Sequence, residues 1–236
     1  MNVFPLSILT FIHKKLRKPL LTICTFLLAL FCIIGCSGCN KSVDYFSYVS
    51  ELRNNVFLYK DDQLSLRAHA LTKESPYATD GVVSKLHTRT EIRLIAPSGE
   101  QTYSVFFMLD NTEYGGEMSF DNVKSEYYYA CPVDVSACTQ LELRVVCGTA
   151  ERVCVAKSVL TSDTVSPKQA LALLVEKEKD FFNGLTDKYG FAGEIHLRLL
   201  YEDAPYYYVG VTDRQGNVTA FLINGLTGQI LAKRQS

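Results

Sequence analysis

Leu64-Ser65-Leu66-Arg67-Ala68-His69-Ala70 places an apolar side chain at every second position and a polar one between. Successive side chains of an extended chain point to opposite faces, so this alternation predicts a β-strand with one buried face. The same period recurs at Glu91-Ile92-Arg93-Leu94 and at Leu141-Glu142-Leu143-Arg144-Val145. The sequence therefore predicts that this part of the chain is built from short, half-buried strands.

Turn-forming residues separate these strands. Gly, Pro, Asp and Asn cluster at 61–62, 97–99, 110–116 and 148–149, and such clusters favour tight turns. Roughly seven to nine strands at this spacing predict an all-β sandwich of immunoglobulin-like architecture over residues 43–160. The chain has no Trp, so the likeness is one of architecture alone. Residues 74–81 contain no periodic run and are the first candidate for a binding loop.

A helix is predicted to begin at Ser166-Pro167-Lys168-Gln169. Ser166 can cap the helix, Pro suits the first helical position, and Gln169 completes a capping box. Apolar residues at helical spacing continue to about Lys188, and strand-like runs follow at 195–199, 207–211, 219–223 and 230–232. The predicted fold class is therefore α+β: the sandwich of residues 43–160, then a helix packed on a small antiparallel sheet over residues 161–236.

Three motifs follow the predicted helix: Tyr206-Tyr-Tyr-Val-Gly-Val211, Phe221-Leu-Ile-Asn224 and Thr227-Gly-Gln-Ile-Leu231. Their order over residues 166–234 resembles the PepSY-type domain, whose last strand follows an acid-x-x-Thr-Gly-x-hydrophobic motif. Asn224 stands here in place of the acid. Such domains occur in pro-segments of secreted peptidases and in cell-envelope lipoproteins, so the resemblance implies a protein-binding or inhibitory role toward an envelope protein or peptidase.

The N-terminal segment has the layout of a signal peptide. Residues 1–18 are basic and contain no acid, and an uncharged apolar run extends from Pro19 to Ile34. The run ends at Ile33-Ile34-Gly35-Cys36, which resembles the bacterial lipobox, where a small residue precedes the cysteine that becomes lipidated and N-terminal. Residues 1–35 are therefore predicted to be a lipoprotein signal peptide, Cys36 the site of acylation, for example by palmitate, and residues 36–42 a tether.

Two other interpretations of this segment stay open. Cys39 also follows small residues, but Cys36 stands three positions before it, where the lipobox favours a branched aliphatic side chain. An uncleaved transmembrane helix over residues 19–40 is the other alternative, because about 20 apolar residues span a bilayer. Either attachment leaves the rest of the chain on the extracytoplasmic side of the cell membrane, since basic residues before an apolar run stay in the cytoplasm.

The charge of the exported part limits its partners. Without residues 1–35 the chain keeps 20 of its 24 Lys and Arg and all 25 Asp and Glu, a net charge near −5. An acidic chain without a basic cluster is not expected to bind nucleic acid or to adhere electrostatically to anionic lipid. The membrane is therefore predicted to be a partner only through the N-terminal lipid.

Four cysteines follow the tether: Cys131, Cys138, Cys147 and Cys154. An even number in an exported chain predicts disulfides, and Cys147 and Cys154 bracket a predicted hairpin. The alternative is four small buried thiols. The cysteines are separated by six, eight and six residues, which does not match the spacing of about two to four in zinc sites, so no metal is predicted.

The sequence contains no recognisable catalytic motif. Outside the signal segment only His69, His87 and His196 are available, with no H-E-x-x-H, no G-x-S-x-G and no Gly-rich phosphate loop. No catalytic residue and no cofactor is therefore predicted. Tyr127–Tyr129 and Tyr206–Tyr208 could form aromatic binding surfaces, or they could alternate between core and solvent as ordinary strand residues.

Together these features predict a membrane-anchored lipoprotein that serves as a non-catalytic binding module of the cell envelope. The alternative is an envelope enzyme or a ligand-binding lipoprotein with a pocket at the domain junction near residues 161–165, because interfaces between domains often hold sites.

Overall fold

Strands dominate the structure, a computed structural model that describes residues 43–76, 83–97 and 101–235. It is 58% strand and 11% helix. The described strands, numbered in chain order, are β1 (Val49–Lys60), β2 (Ser65–Glu74), β3 (Leu86–Ile95), β4 (Tyr103–Leu109), β5 (Thr112–Glu117), β6 (Ser119–Asp121), β7 (Glu126–Cys131), β8 (Gln140–Cys147), β9 (Ala150–Ser158), β10 (Thr186–Asp187), β11 (Gly190–Phe191), β12 (Gly193–Tyr201), β13 (Pro205–Asp213), β14 (Val218–Asn224) and β15 (Ile230–Gln235). The two short helices are α1 (Pro167–Lys177) and α2 (Lys179–Gly184), and Tyr45–Tyr48 form a 3₁₀ turn.

Strand β2 shows how the alternation of side chains determines the fold. Leu66, Ala68 and Ala70 are fully buried in one core, while Arg67 between them is exposed. Strands β1 and β3 pair with β2 in antiparallel register on either side. The strands predicted from the alternating runs are confirmed as β2, β3 and β8.

The described strands other than β10 and β11 belong to one sheet. Its main path runs β15-β14-β13-β12-β1-β2-β3-β7-β6. A second branch, β5-β4-β8-β9, joins this path where β9 pairs with Phe57 and Leu58 of β1. The result is a nearly closed, barrel-like sheet.

The first hydrophobic core fills the inside of this barrel-like part. Its buried members include Phe57, Leu66, Ile92, Leu94, Val105, Phe107, Tyr127, Leu143 and Ala156. Full burial of an aliphatic or aromatic side chain of this size contributes about 1.5–3 kcal/mol to stability. Strands β1 to β9 are thus held together by a shared interior.

The second core lies between the helices and the C-terminal strands. Its buried members include Ala170, Leu171, Leu174, Phe182, Ile195, Leu197, Leu199, Tyr207, Val209 and Phe221. Ile195, Leu197 and Leu199 alternate along β12, so they share one face of that strand. The opposite face of the C-terminal strands remains available for polar residues.

Strand β1 connects the two cores. Its first half pairs in parallel with β12, from Val49 with Ile195 to Arg53 with Arg198. Its second half pairs with β9 instead. A register shift between Arg53 and Asn55 in the pairing with β2 marks the change, and such bulges bend a strand and increase its twist.

The predicted fold class is wrong. An α+β chain was predicted, with a separate sandwich over residues 43–160 and a helix on a small antiparallel sheet over 161–236. The described part of the chain is instead mostly β, with one main sheet and two short helices. Alternation shows which face of a strand is buried, but it does not reveal which strands pair. The parallel pairing of β1 with the distant β12 left no local signal, and the predicted boundary after Leu160 stays a prediction.

The predicted start of the helix is confirmed, but its predicted end is wrong. The backbone N–H of Gln169 donates to Ser166 Oγ at 3.3 Å, and the Gln169 side chain accepts from the Ser166 N–H at 2.9 Å. Helix α1 ends at Lys177 because Glu178 takes φ −107° and ψ 33°, outside the helical region. The four C-terminal strands are confirmed as β12 to β15.

The predicted signal peptide, the lipidation site Cys36 and the tether lie outside the described residues, as do residues 77–81 of the predicted loop, residue 82 and residues 98–100. Within the described ranges, neither helix is long and apolar enough to cross a membrane.

Candidate functional site

A cavity of about 470 Å³ lies where the β12–β13 hairpin approaches strands β1 and β2. Strands β1 and β12 pair only as far as Arg53 and Arg198. Beyond these residues β12 continues into its hairpin while β1 continues toward β9, and the strands diverge. We call the cavity lined by residues of 53–69 and 199–206, with Leu222 beside them, the fork pocket.

One wall of the fork pocket is basic. Arg53 comes from β1, and Arg67 and His69 come from β2. Arg53 Nε and His69 Nδ1 are buried without a hydrogen-bond partner among the described residues. Buried polar atoms of folded proteins nearly always have a partner, so each of these atoms requires an explanation.

Arg53 feels the charge of Glu51 but forms no ion pair with it, and Glu51 pairs with Arg198 instead. Glu51 accepts two hydrogen bonds from Arg198, Nε to Oε1 and Nη2 to Oε2, both at 2.7 Å. Burial alone would raise the pKa of Glu51, but the hydrogen bond and charge of Arg198 lower it below its usual value. The same pair raises the pKa of Arg198, whereas burial lowers the pKa of Arg53.

Most other arginines of the described chain, unlike Arg53, form an ion pair. Of the seven other than Arg53 and Arg67, six form an ion pair with a carboxylate, and the exposed Arg234 forms none: the six are Arg89, Arg93, Arg144, Arg152, Arg198 and Arg214. The two arginines that line the fork pocket form none with any residue that the structure describes. A guanidinium offers five donors, so this wall presents unused donors for a bound anion.

His69 is the most deeply buried polar group of the pocket, with 5% of its surface exposed. Burial, aided by the charges of Arg53 and Arg67, lowers its pKa to about 2. The imidazole is therefore neutral near neutral pH, where one ring nitrogen donates and the other accepts. A proton on Nδ1 would give a bound anion one further donor.

The opposite wall is acidic and aromatic. Glu202 and Asp203 lie in the turn between β12 and β13 and are exposed at the rim. Tyr206 donates a hydrogen bond from its hydroxyl to Asp203 Oδ1 at 3.0 Å. Tyr201 also lines this side. The pocket thus carries positive groups on the β1–β2 wall and negative groups on the hairpin wall.

A second polar cluster contains Ser50, Glu194 and His196, residue types that also occur in catalytic triads. The Ser50 hydroxyl donates to Glu194 Oε1, and His196 Nε2 lies 3.4 Å from the same oxygen. Ser50 is only 1% exposed. Because the serine proton is held by a carboxylate and no substrate can reach the oxygen, the arrangement does not provide an activated nucleophile.

The four predicted disulfide cysteines, Cys131, Cys138, Cys147 and Cys154, are free thiols in the structure. Cys147 pairs with Ala150 and Cys154 with Leu143 across the β8–β9 hairpin. Four residues of strand therefore separate the two positions, about 13 Å, while a disulfide needs Cα atoms within about 7 Å. This register excludes a bridge between Cys147 and Cys154, and bridges among the other pairs stay a prediction.

Metal-ligand geometry is absent from the described ranges, where no group of three or more His, Cys, Asp or Glu side chains is placed to hold an ion. Burial raises the pKa of the Cys131 and Cys154 thiols. Both cysteines belong to the first core, so they act there as small apolar side chains.

The tyrosine triplets are divided between core and surface. Tyr127 and Tyr207 are buried, and their hydroxyls donate to the carbonyls of Gln101 and Val165, both at 2.6 Å. Tyr206, on the other face of β13, lines the fork pocket. The alternation of ordinary strand residues therefore accounts for both triplets.

The regions predicted to hold a site differ from the fork pocket. Residues 161–165 do not line it. Val165 at the end of this segment is engaged by the backbone, because its N–H donates to the Gly225 carbonyl at 2.9 Å. Glu74 at the start of the predicted loop accepts from the Ser84 N–H at 2.8 Å.

Sequence reasoning missed Arg53 and Arg67. Arg67 stands between Leu66 and Ala68 in an alternating strand, where a charged residue is expected simply to face solvent. Arg53, between Leu52 and Asn54, lies in a segment without such alternation. His69 was expected on a polar face, and the structure places it there, but buried. The sequence could not show two tertiary contacts: Arg198 forms the ion pair with Glu51, and the β12–β13 hairpin covers His69.

Comparison with protein families, curated proteins and solved structures finds no match to this chain.

Proposed function

We propose that this chain is a lipid-anchored, extracytoplasmic binding protein of the cell envelope, with the fork pocket as its ligand site and no chemistry of its own. The lipobox-like end at Cys36 supports the anchor. The shape of the pocket supports binding, because a concave site with a few unpaired polar groups on an apolar surface is typical of ligand sites.

The observation that carries the binding proposal is the unpartnered guanidinium of Arg53. Removing a charged group from water is costly unless another group replaces its hydrogen bonds. Burial of Arg53 Nε without a partner among the described residues is explained if a ligand supplies the missing acceptor.

Binding of another envelope protein is the second candidate function. The resemblance of residues 166–234 to PepSY-type domains supports it, and a peptidase is then the implied class of partner. Both the resemblance and this partner remain predictions.

The anchor is tested by the intact mass of the protein extracted from its own membranes. The expected mature chain begins at Cys36 and carries acyl groups, and Cys36→Ala abolishes both acylation and cleavage. Cys39→Ala is the matched control and should be processed normally. A full-length, unmodified mass for the wild type would contradict the lipoprotein assignment and favour a transmembrane anchor.

Ligand binding is tested by native mass spectrometry of the same membrane extract in mild detergent. The wild type is expected to retain a small molecule that Arg53→Gln loses. Arg214→Gln removes the same charge from an exposed turn far along the chain, where Arg214 pairs with Asp187, and should retain the ligand. A wild-type spectrum without any bound small molecule would count against the fork pocket as the binding site.

A further inference from the structure

The charged groups of the fork pocket are separated by sign. Arg53 and Arg67 stand on the wall formed by β1 and β2, and Glu202 and Asp203 stand on the hairpin wall. Formal charges of the lining therefore balance. A ligand with only negative charge would gain from one wall and be repelled by the other, so a dianion such as free phosphate fits this pocket poorly.

Apolar side chains line the space between the charged walls. Val56 and Leu199 are buried at its base, and Leu200 and Leu222 are half-buried beside them. These side chains can contact an apolar group of a ligand. The pocket is therefore suited to a molecule with an anionic end, an apolar middle and a cationic end.

The size of the pocket limits the length of such a molecule. A volume of about 470 Å³ corresponds to a space roughly 10 Å across if it is taken as a sphere. An extended chain advances at most about 3.3–3.6 Å per residue, so about three residues fill that length.

We propose that the fork pocket binds a short peptide of about three residues as a zwitterion, its carboxylate held by Arg53 and Arg67 and its ammonium group by Glu202 and Asp203. His69 Nδ1 supplies an additional donor to the carboxylate. Asp203 is positioned for the ammonium group by the hydroxyl of Tyr206. This inference rests on the proposed binding function and names the ligand class for the same site.

The test is isothermal titration of the membrane-extracted protein in detergent, after dialysis, with the tripeptide Ala-Leu-Ala. Two further probes are its C-terminal amide and its N-acetyl derivative. The free tripeptide is expected to bind saturably. Each blocked form should bind roughly 10- to 100-fold more weakly, since hydrogen bonds to charged groups are about this strong.

Variants assign each end of the peptide to one wall. Arg53→Gln and, separately, the exposed Arg67→Gln should reduce the preference for the free carboxylate while keeping the preference for the free amine. The double variant Glu202→Gln with Asp203→Asn should do the reverse. Arg214→Gln should change neither preference. Thermal unfolding of each variant identifies any that fail to fold, and Arg67→Gln and the rim variant change exposed side chains.

The outcomes separate this inference from the proposed function. Equal affinity for the free tripeptide and its amide, or preferences that survive both sets of variants, would overturn the zwitterion assignment. A membrane-extracted protein that retains another small molecule but ignores Ala-Leu-Ala would leave the binding function standing and refute the peptide ligand. If the membrane-extracted protein retains no small molecule and Ala-Leu-Ala does not bind, both proposals are refuted.

Discussion

His69 is a neutral imidazole enclosed by positive charge. Burial and the nearby guanidinium groups of Arg53 and Arg67 lower its pKa to about 2, whereas an unfolded chain keeps a value near 6.5. Between these two pKa values the unfolded chain takes up a proton that the folded protein does not. Stability contributed by the neutral state is therefore complete above about pH 6.5 and falls as the pH falls toward the folded-state pKa.

The first prediction is that acidification destabilises the protein through His69. Between about pH 7.5 and about pH 5.5, the His69 contribution to the free energy of unfolding should fall by about 1.4 kcal/mol. In urea unfolding at both pH values, the free energy of unfolding of His69→Gln should therefore fall by about 1.4 kcal/mol less than that of the wild type. His87→Gln, at an exposed position, is the control. If the free energy of unfolding falls equally with pH in all three proteins, His69 is not held neutral by the fold.

The second prediction concerns Gly228, in the Thr-Gly pair of the turn before β15. Its φ is +71°, and an added Cβ would lie 2.3 Å from Leu173 Cδ1 on α1. Gly228→Ala therefore adds backbone strain and displaces the flexible end of the Leu173 side chain, and should cost about 1–2 kcal/mol in urea unfolding.

Gly216→Ala is the matched control for Gly228→Ala. Gly216 has φ +85° but open space around the added Cβ, so backbone strain alone should cost about 1 kcal/mol. An equal loss of stability in the two variants would show that contact with Leu173 does not constrain the turn.

Asn224 explains at the residue scale why the turn forms without the acid of the family motif. Its Oδ1 accepts hydrogen bonds from the backbone N–H groups of Leu226 and Thr227, at 2.9 and 3.0 Å. A carboxylate would accept the same bonds, since Asn and Asp both form this kind of side-chain turn. The departure from the motif therefore leaves the local geometry intact.

At the scale of elements, β1 determines the architecture because it pairs with β12 and then with β9. Asn55 stabilises the point of change: its Nδ2 donates to the carbonyls of Ser136 and Cys138 at 3.0 and 3.2 Å. Its Oδ1 accepts from Ser158 Oγ at 2.8 Å. One buried side chain thus ties β1 to the loop before β8 and to the end of β9.

The third prediction is that Asn55→Ala lowers the free energy of unfolding by about 2–4 kcal/mol, because several buried groups lose their partner. The neighbouring Asn54 provides the control, since its Oδ1 has no partner among the described residues. Asn54→Ala should change stability by less than about 0.5 kcal/mol. Similar losses in the two variants, measured by urea unfolding, would contradict the role given to Asn55.

The elements themselves were predictable where the determining interactions are local. Alternation identified β2, β3, β8 and the C-terminal strands, and the Ser166–Gln169 capping box located the start of α1. The end of α1 was not predictable, because the apolar residues keep helical spacing beyond Glu178 while the backbone leaves the helical conformation there. Parallel pairing of β1 with β12 joins positions such as Leu52 and Leu197, and no sequence pattern specifies such a partner.

At the scale of the whole molecule, the proposed ligand site depends on that same pairing. The sequence did not indicate a role for Arg53 or Arg67, because ion pairing between distant strands leaves no local sequence pattern. The structure shows Glu51 occupied by Arg198, and it brings the hairpin residues Glu202 and Asp203 opposite the unpaired arginines. The proposed anchor at Cys36 would leave this pocket on the extracytoplasmic side of the membrane.

The most direct test of the account follows the arginine side chains themselves. Nuclear magnetic resonance of the Nε–Hε groups of the membrane-extracted protein in detergent, titrated with Ala-Leu-Ala, reports which guanidinium binds. We expect saturable shifts of the Arg53 and Arg67 signals, assigned with their Gln variants, and no shift for Arg214. Unchanged Arg53 and Arg67 signals at peptide concentrations that saturate binding would contradict the fork pocket as the ligand site.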